Sequence, residues 1–131
     1  MLLNREERHR LAHRALEECI ESNATGIPVL VEGLRDEKAL KELGFTGPIE
    51  KVNRGWPIDR VAVYISETYS GCIVLMDWDR TGGRLQRRLM DLLLSMDFKP
   101  NDECRRVLSK AMKPDTLCVE DLPSFLGQTH T

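Results

Sequence analysis

The stretch CIVLMDWDRTGG, Cys72 to Gly83, decides how the rest of the chain is read. Five apolar or small residues, Cys72 to Met76, run straight into two aspartates one residue apart, and Thr81, Gly82 and Gly83 then form a turn that opens a helix. An apolar run of this length, closed by turn residues, predicts a strand buried on both faces of a sheet. Its chemistry then lies at the carboxyl end. Residues two apart on a strand point the same way, so an extended chain to Asp79 presents Asp77 and Asp79 to one spot and turns Trp78 elsewhere. Two like charges that close call for a shared proton or a divalent cation with oxygen ligands, such as magnesium.

Working outward, the 27–33 segment IPVLVEG repeats the pattern: a short apolar run, then an acid, Glu32, then Gly33. Asp36 begins DEKALKELG, whose Ala39, Leu40 and Leu43 share a helical face and whose Gly44 is a natural stop. Taken alone, Glu32 and Asp36 serve as well to cap that helix as to bind anything. A third strand is expected around Ile49 to Val52, and a helix from Pro57 through Ile58, Val61, Ala62 and Ile65 to about Tyr69. Trp56 beside Gly55 reads either as a half-buried loop anchor or as a base-stacking surface.

Upstream, Leu11, Ala15, Leu16, Cys19 and Ile20 make one apolar stripe, predicting a helix over 5–22. His9 and His13 stand one turn apart on it, a spacing that can grip a metal, but no neighbouring ligand completes a set, and they read as polar surface residues. Downstream, a long helix from Gly83 to about Met96 turns Leu85, Leu89, Leu92, Leu93 and Met96 to the sheet. A short helix near Glu103 to Ala111, an edge strand at Thr116 to Val119 and a closing VEDLPSFLG follow, with GQTHT frayed. From Arg80 to Lys113 there are nine basic and four acidic residues, the one locally basic region. That excess beside an acidic site suits a phosphate-bearing polymer, although helix faces are also basic for solubility alone.

Composition sets the limits. One hundred and thirty-one residues, 41% hydrophobic and 31% charged, suit one domain over 1–131, with a core at about 27–97, the helix at 5–22 and a C-terminal extension at 98–131. A net charge of −2 gives no overall pull on nucleic acid, so such contact must come from a local patch. Cys19, Cys72, Cys104 and Cys118 are scattered without a zinc-like or disulfide spacing, which predicts reduced thiols in a cytoplasmic protein. Neither a signal peptide nor an apolar run of membrane-spanning length is visible, so no membrane partner is expected. Strand alternating with helix predicts an α/β fold: an open, mainly parallel sheet of about four strands with helices on both faces. Should the Glu32 strand lie beside the Asp77 strand, Glu32, Asp36, Asp77 and Asp79 meet in one crevice.

Together, VEGLRDEKAL (Val31 to Leu40) and, some forty residues later, LMDWDRTGG (Leu75 to Gly83) resemble the Toprim domain. Bacterial-type primases, topoisomerases, overcoming-lysogenization-defect nucleases, recombination-repair proteins and the ribonuclease that matures 5S ribosomal RNA share it. Glu32, Gly33, Asp36, Asp77, Asp79 and Gly82 match its pattern of Glu-Gly, an acid four residues after the glutamate, and Asp-x-Asp-x-x-Gly. The position after the last glycine, where the family frequently has glutamate, is Gly83. The chain has no room for a topoisomerase cleavage domain or the other domains of a primase; it is most similar to small stand-alone Toprim proteins and to the catalytic part of the 5S RNA maturase. The resemblance implies magnesium, or manganese, held by Asp77 and Asp79. Glu32 would be a general acid or base or a further ligand, Asp36 would complete the cluster, and Gly33 and Gly82 would shape the turns.

The expected function is therefore magnesium-dependent phosphoryl transfer on nucleic acid, RNA ahead of DNA, in the manner of an RNA-processing nuclease. Arg35, Lys38, Arg80, Arg84, Arg87 and Arg88 would contact the backbone. One alternative is a non-catalytic module that binds RNA or a ribonucleoprotein. Another is a haloacid-dehalogenase-like phosphatase, since Asp77 to Thr81 also fits Asp-x-Asp-x-Thr, with Asp77 as nucleophile and Asp79 as acid/base.

Overall fold

The computed structural model describes residues 3–127. Its elements run α1 (Arg5–Ala24), β1 (Val29–Val31), α2 (Leu34–Leu43), β2 (Ile49–Lys51), α3 (Ile58–Thr68), β3 (Cys72–Val74), α4 (Arg80–Ser95), β4 (Pro100–Asn101), α5 (Glu103–Met112), a 3-10 turn (Val119–Asp121) and α6 (Leu122–Leu126). All strands are parallel, in the order β2-β1-β3-β4. Val29 is level with Ile73 and Leu30 with Val74. The architecture is the open, Rossmann-like α/β sheet expected from the alternation of strands and helices.

The pleat divides the core in two. Val29, Val31, Ile73 and Leu75 face α1, α2, α5 and α6 through Leu16, Leu40, Leu43, Leu108, Met112 and Leu122. Leu30, Val74 and Met76 face α3 and α4 through Val61, Ile65, Leu89 and Leu93. Val29, Leu30, Val31 and Val74 are wholly buried, each worth about 1.5–3 kcal/mol of hydrophobic transfer. The core therefore reaches beyond 27–97, because α1, α5 and α6 close one whole face.

Several boundaries differ from the sequence expectation, each for a local reason. α1 runs two residues past Ser22. Asn23 is fully buried there, donating from Nδ2 to the carbonyls of Ile27 and Pro48 at 2.9 and 2.8 Å and accepting from the Gly47 N–H at 2.8 Å. At its start, Asn4 and Glu7 form a capping box. α4 starts at Arg80, so Thr81, Gly82 and Gly83 lie inside its first turn.

The edge strand expected at Thr116 to Val119 is absent, because that backbone is bonded elsewhere. The Leu117 carbonyl accepts the Trp78 N–H at 3.0 Å, the Thr116 carbonyl accepts Trp78 Nε1–H at 2.7 Å, and the Val119 N–H goes to Asp77. The fourth strand is instead the pair Pro100 and Asn101 beside β3. Of the GQTHT tail, residues 128–131 lie outside the described residues. Among the described residues no helix is long and apolar enough to cross a membrane.

Candidate metal centre

In the sheet, β1 leads through α2 to β2 on one side, while β3 leads through α4 to β4 on the other. The crevice between the carboxyl ends of β1 and β3 is thus the point where strand order reverses, where open α/β sheets bind ligands. Glu32 follows β1 directly, and Asp77 and Asp79 follow β3. The Leu75 N–H still bonds the Leu30 carbonyl at 2.9 Å, so the two chain ends leave the sheet side by side.

Asp77 and Asp79 do share a side, but by helix capping rather than by the pleat, since the strand ladder ends at Val74. Asp79 is the N-cap of α4, its Oδ1 accepting the Gly82 N–H at 2.7 Å. Gly82 sits where a Cβ would come within 2.1 Å of the Asp77 carbonyl oxygen. That contact explains the glycine three residues after the second aspartate: helix and strand end meet backbone to backbone. Gly33 has no such reason. Its φ of −155° is ordinary extended backbone and nothing lies within 4 Å of a Cβ built there.

Glu32 Oε2 accepts the Asp77 N–H at 3.2 Å. Burial, contact with the Asp77 carboxylate and repulsion from it and from Asp36 push the Glu32 pKa up to about 7. Asp36, 8% exposed, accepts the Gly33 N–H at 3.1 Å; burial and then the charge of Asp77 raise it to about 6. Asp36 and Glu32 thus border Asp77. Among the described residues the set of three potential ligand atoms within 4.8 Å of one another is Asp77, Asp79 and Cys118; Glu32 and Asp36, expected as ligands, are not part of it.

The donor set fits a small divalent cation. Ligand atoms on magnesium stand about 3.0 Å apart when adjacent and about 4.2 Å when opposite, so atoms gathered within 4.8 Å would close up around one ion. Asp77 gives Oδ1 to the Val119 N–H at 2.8 Å and Asp79 gives Oδ1 to its cap, which leaves each a second oxygen. Cys118, whose thiol burial and Asp77 push up to about 11, would contribute as a neutral sulfur or lose its proton to a softer metal.

Two residues that the sequence did not flag hold this arrangement. Gln86 of α4, 5% exposed, accepts the Met76 N–H at 3.1 Å and donates to the Val74 carbonyl at 3.0 Å. Arg105 of α5 donates to the Met76 and Asp77 carbonyls at 2.9 and 2.8 Å. The end of β3 is therefore gripped from both faces of the sheet. Cys118 likewise arrives from a segment whose pattern gave no sign of the site.

The cations expected to contact a backbone are all exposed: Arg35 and Lys38 on α2, and Arg80, Arg84, Arg87 and Arg88 on α4. Among the described residues none of the six has a carboxylate within 4.0 Å, whereas Arg8, Lys51, Arg54 and Arg106 are paired. Trp56 is half-buried against Tyr64, with Arg54 and Arg60 5.1 and 4.4 Å from its ring, which is the anchor role. His9 bonds Asp115 at 2.9 Å, away from the acids of the crevice.

No protein-family model matches the chain. It is 40% identical to a UPF0292 protein of Pyrococcus horikoshii over 97 residues, 74% of this chain and 72% of that protein. It is 35% identical to one of Thermococcus onnurineus over 94 residues, 72% of this chain and 69% of that protein. Among solved structures, a protein from Aquifex aeolicus superposes with a TM-score of 0.69 at 23% identity, covering 82% of this chain and 94% of the other, a likeness of fold.

Proposed function

The chain belongs to the UPF0292 family, and we propose that it is a Toprim-type protein that binds magnesium, or manganese, and acts on the phosphodiester backbone of nucleic acid, RNA ahead of DNA. One observation carries this reading. The Glu32 carboxylate accepts the backbone N–H of Asp77, 45 residues on in sequence, at the switch point, with Asp79 and Asp36 beside them and, among the described residues, no cationic side chain paired to any of the four.

Asp77 and Asp79 would hold the cation through their free oxygens, with Cys118 at its edge. A divalent cation there supplies charge for a phosphoryl oxygen and for an in-line displacement. Glu32 stands next to Asp77 with a pKa near neutrality in the metal-free protein, which suits proton transfer to or from the reacting oxygen. Arg80, Arg84 and Arg87 follow the site along the first turns of α4 and would steer and orient the backbone.

The test is a magnesium titration against single-stranded, duplex and structured RNA and DNA, wild type beside Glu32→Gln. Magnesium-dependent cleavage that drops in the variant supports the reading. Cleavage that persists unchanged removes Glu32 from the chemistry. Magnesium-dependent affinity without cleavage selects the binding module, and neither affinity nor cleavage on any substrate ends the proposal.

A further inference from the structure

Arg105 differs from every other cation near the crevice in being fixed. It is half-buried on α5, and its guanidinium is held in plane by two backbone acceptors, Nε–H to the Met76 carbonyl and Nη2–H to the Asp77 carbonyl. Guanidinium carries five N–H donors in a rigid fork. Two are used here, and the remaining three have no partner among the described residues. On the side of α4 its neighbour is a residue without a side chain: a Cβ built on Gly83 would stand in contact with Nη2, at 3.8 Å.

Its charge is also unspent. Asp102, Asp77, Asp79 and Glu32 all act on Arg105 through space, yet among the described residues no carboxylate lies within 4.0 Å of it. A half-buried cation beside four acids and bonded to none of them gains little from each, because the attraction falls with distance while its own desolvation cost remains. The arrangement suits an anion arriving from outside. A phosphodiester entering this crevice meets a concentration of negative charge, and its non-bridging oxygens need a donor that does not swing away. Arg80, Arg84, Arg87 and Arg88 are exposed and can attract it from a distance, but among the described residues no hydrogen bond or ion pair fixes their side chains.

We propose that Arg105 is the phosphate-holding residue of this site, offering its free N–H edge to a phosphate oxygen beside the Asp77 and Asp79 carboxylates. The proposal rests on the reading of the crevice as a phosphodiester site. An arginine is required because one edge of the fork stays on the carbonyls while another meets the phosphate, which a lysine ammonium cannot reproduce.

The experiment measures two affinities of the full-length protein at one fixed salt concentration: magnesium alone by calorimetry, and a short fluorescein-labelled single-stranded RNA with magnesium by anisotropy. Arg105→Gln is expected to weaken RNA binding about tenfold or more and to leave magnesium affinity essentially unchanged. Arg105→Lys, which keeps charge and a donor for the carbonyls, is expected to fall between and serves in its place if the glutamine variant does not fold. RNA affinity equal to wild type in both variants overturns the proposal. So does a loss of magnesium affinity that matches the loss of RNA affinity, because Arg105 would then act only by placing Asp77. A wild type that binds magnesium but not the RNA overturns the phosphodiester reading itself, a result distinct from either of these.

Discussion

Glu50 on β2 and Glu32 at the end of β1 lie on neighbouring parallel strands, and the chain provides for them in opposite ways. Glu50 accepts Arg54 Nη2 at 2.7 Å, the Tyr64 hydroxyl at 2.9 Å and the Tyr69 hydroxyl at 2.5 Å. Burial raises its pKa, but the hydroxyls and Arg54 more than offset it and the net shift is downward. Glu32 is given one backbone N–H and a set of carboxylates, and its net shift is upward. A buried acid whose donors all come from its own chain is complete and serves the fold. One surrounded by further acids needs a proton or a cation from outside, and that need is what makes the crevice the candidate site.

The largest effect that would break this contrast is on rate. Glu32→Gln should lower magnesium-dependent cleavage about 10²–10⁴-fold, the usual weight of a positioned acid or base, while the metal-free protein melts no lower than wild type. Paired nuclease assays and thermal melts read both numbers. A variant that keeps its rate and loses stability would make Glu32 a second Glu50.

The reciprocal variant is Glu50→Ala. It strips two tyrosine hydroxyls and Arg54 of their shared acceptor and should cost about 2–3 kcal/mol, given the strength of hydrogen bonds to a charged group. Urea unfolding measures the loss. Cleavage per folded molecule should stay at the wild-type level, and a fall there would draw Glu50 into the site.

A third effect separates two glycines that look alike in sequence. Gly82→Ala forces a methyl against the Asp77 carbonyl and should cost about 1–3 kcal/mol, as overpacking does, and, on the proposed reading of Asp77 as a ligand, weaken magnesium binding with it. Gly33→Ala, with open space around it, should cost less, about 0.5–1 kcal/mol for a poorer N-cap, and leave magnesium binding unchanged. Unfolding curves and calorimetric magnesium titrations of the two variants make the comparison.

These residues also show how much was legible in the sequence. The two apolar runs ending in Glu32 and Asp77 announced buried parallel strands, because a strand covered on both faces has no polar alternation to blur it. Gly82 was legible by its spacing from Asp79. Gly33 was read by the same logic, yet the backbone there makes no demand for glycine. β4 was missed because two residues, Pro100 and Asn101, carry no period, and Thr116 to Val119 was taken for a strand although its backbone bonds serve Trp78 and Asp77. Cys118, Gln86 and Arg105 reach the site only through packing. Their partners lie far along the chain or across a helix turn, and nothing local in their segments records it.

The smallest effect is the most direct reading of the contrast, because the two glutamates should tilt stability against pH in opposite directions. Glu32 and Asp36 bind their protons more tightly in the folded chain, to about 7 and about 6, than in the unfolded one, where carboxylates titrate near 4.5 and 3.8. As pH rises through that window the unfolded state releases protons that the folded state retains, so the metal-free protein should lose stability from about pH 4 up to about pH 7. Glu50, with its pKa lowered, contributes stability above the usual glutamate value of 4.5 and loses it as pH falls below. Magnesium competes for the ionised acids, so its stabilising effect should grow across the same interval and cancel the decline. Thermal melts at a series of pH values, with and without magnesium, measure this. Glu32→Gln should flatten the upper part of the metal-free slope, whereas Glu50→Gln should leave that part intact and reduce the fall at low pH. A metal-free protein whose melting temperature does not drop between about pH 4 and 7 would mean that Glu32 already has its counter-charge inside the chain.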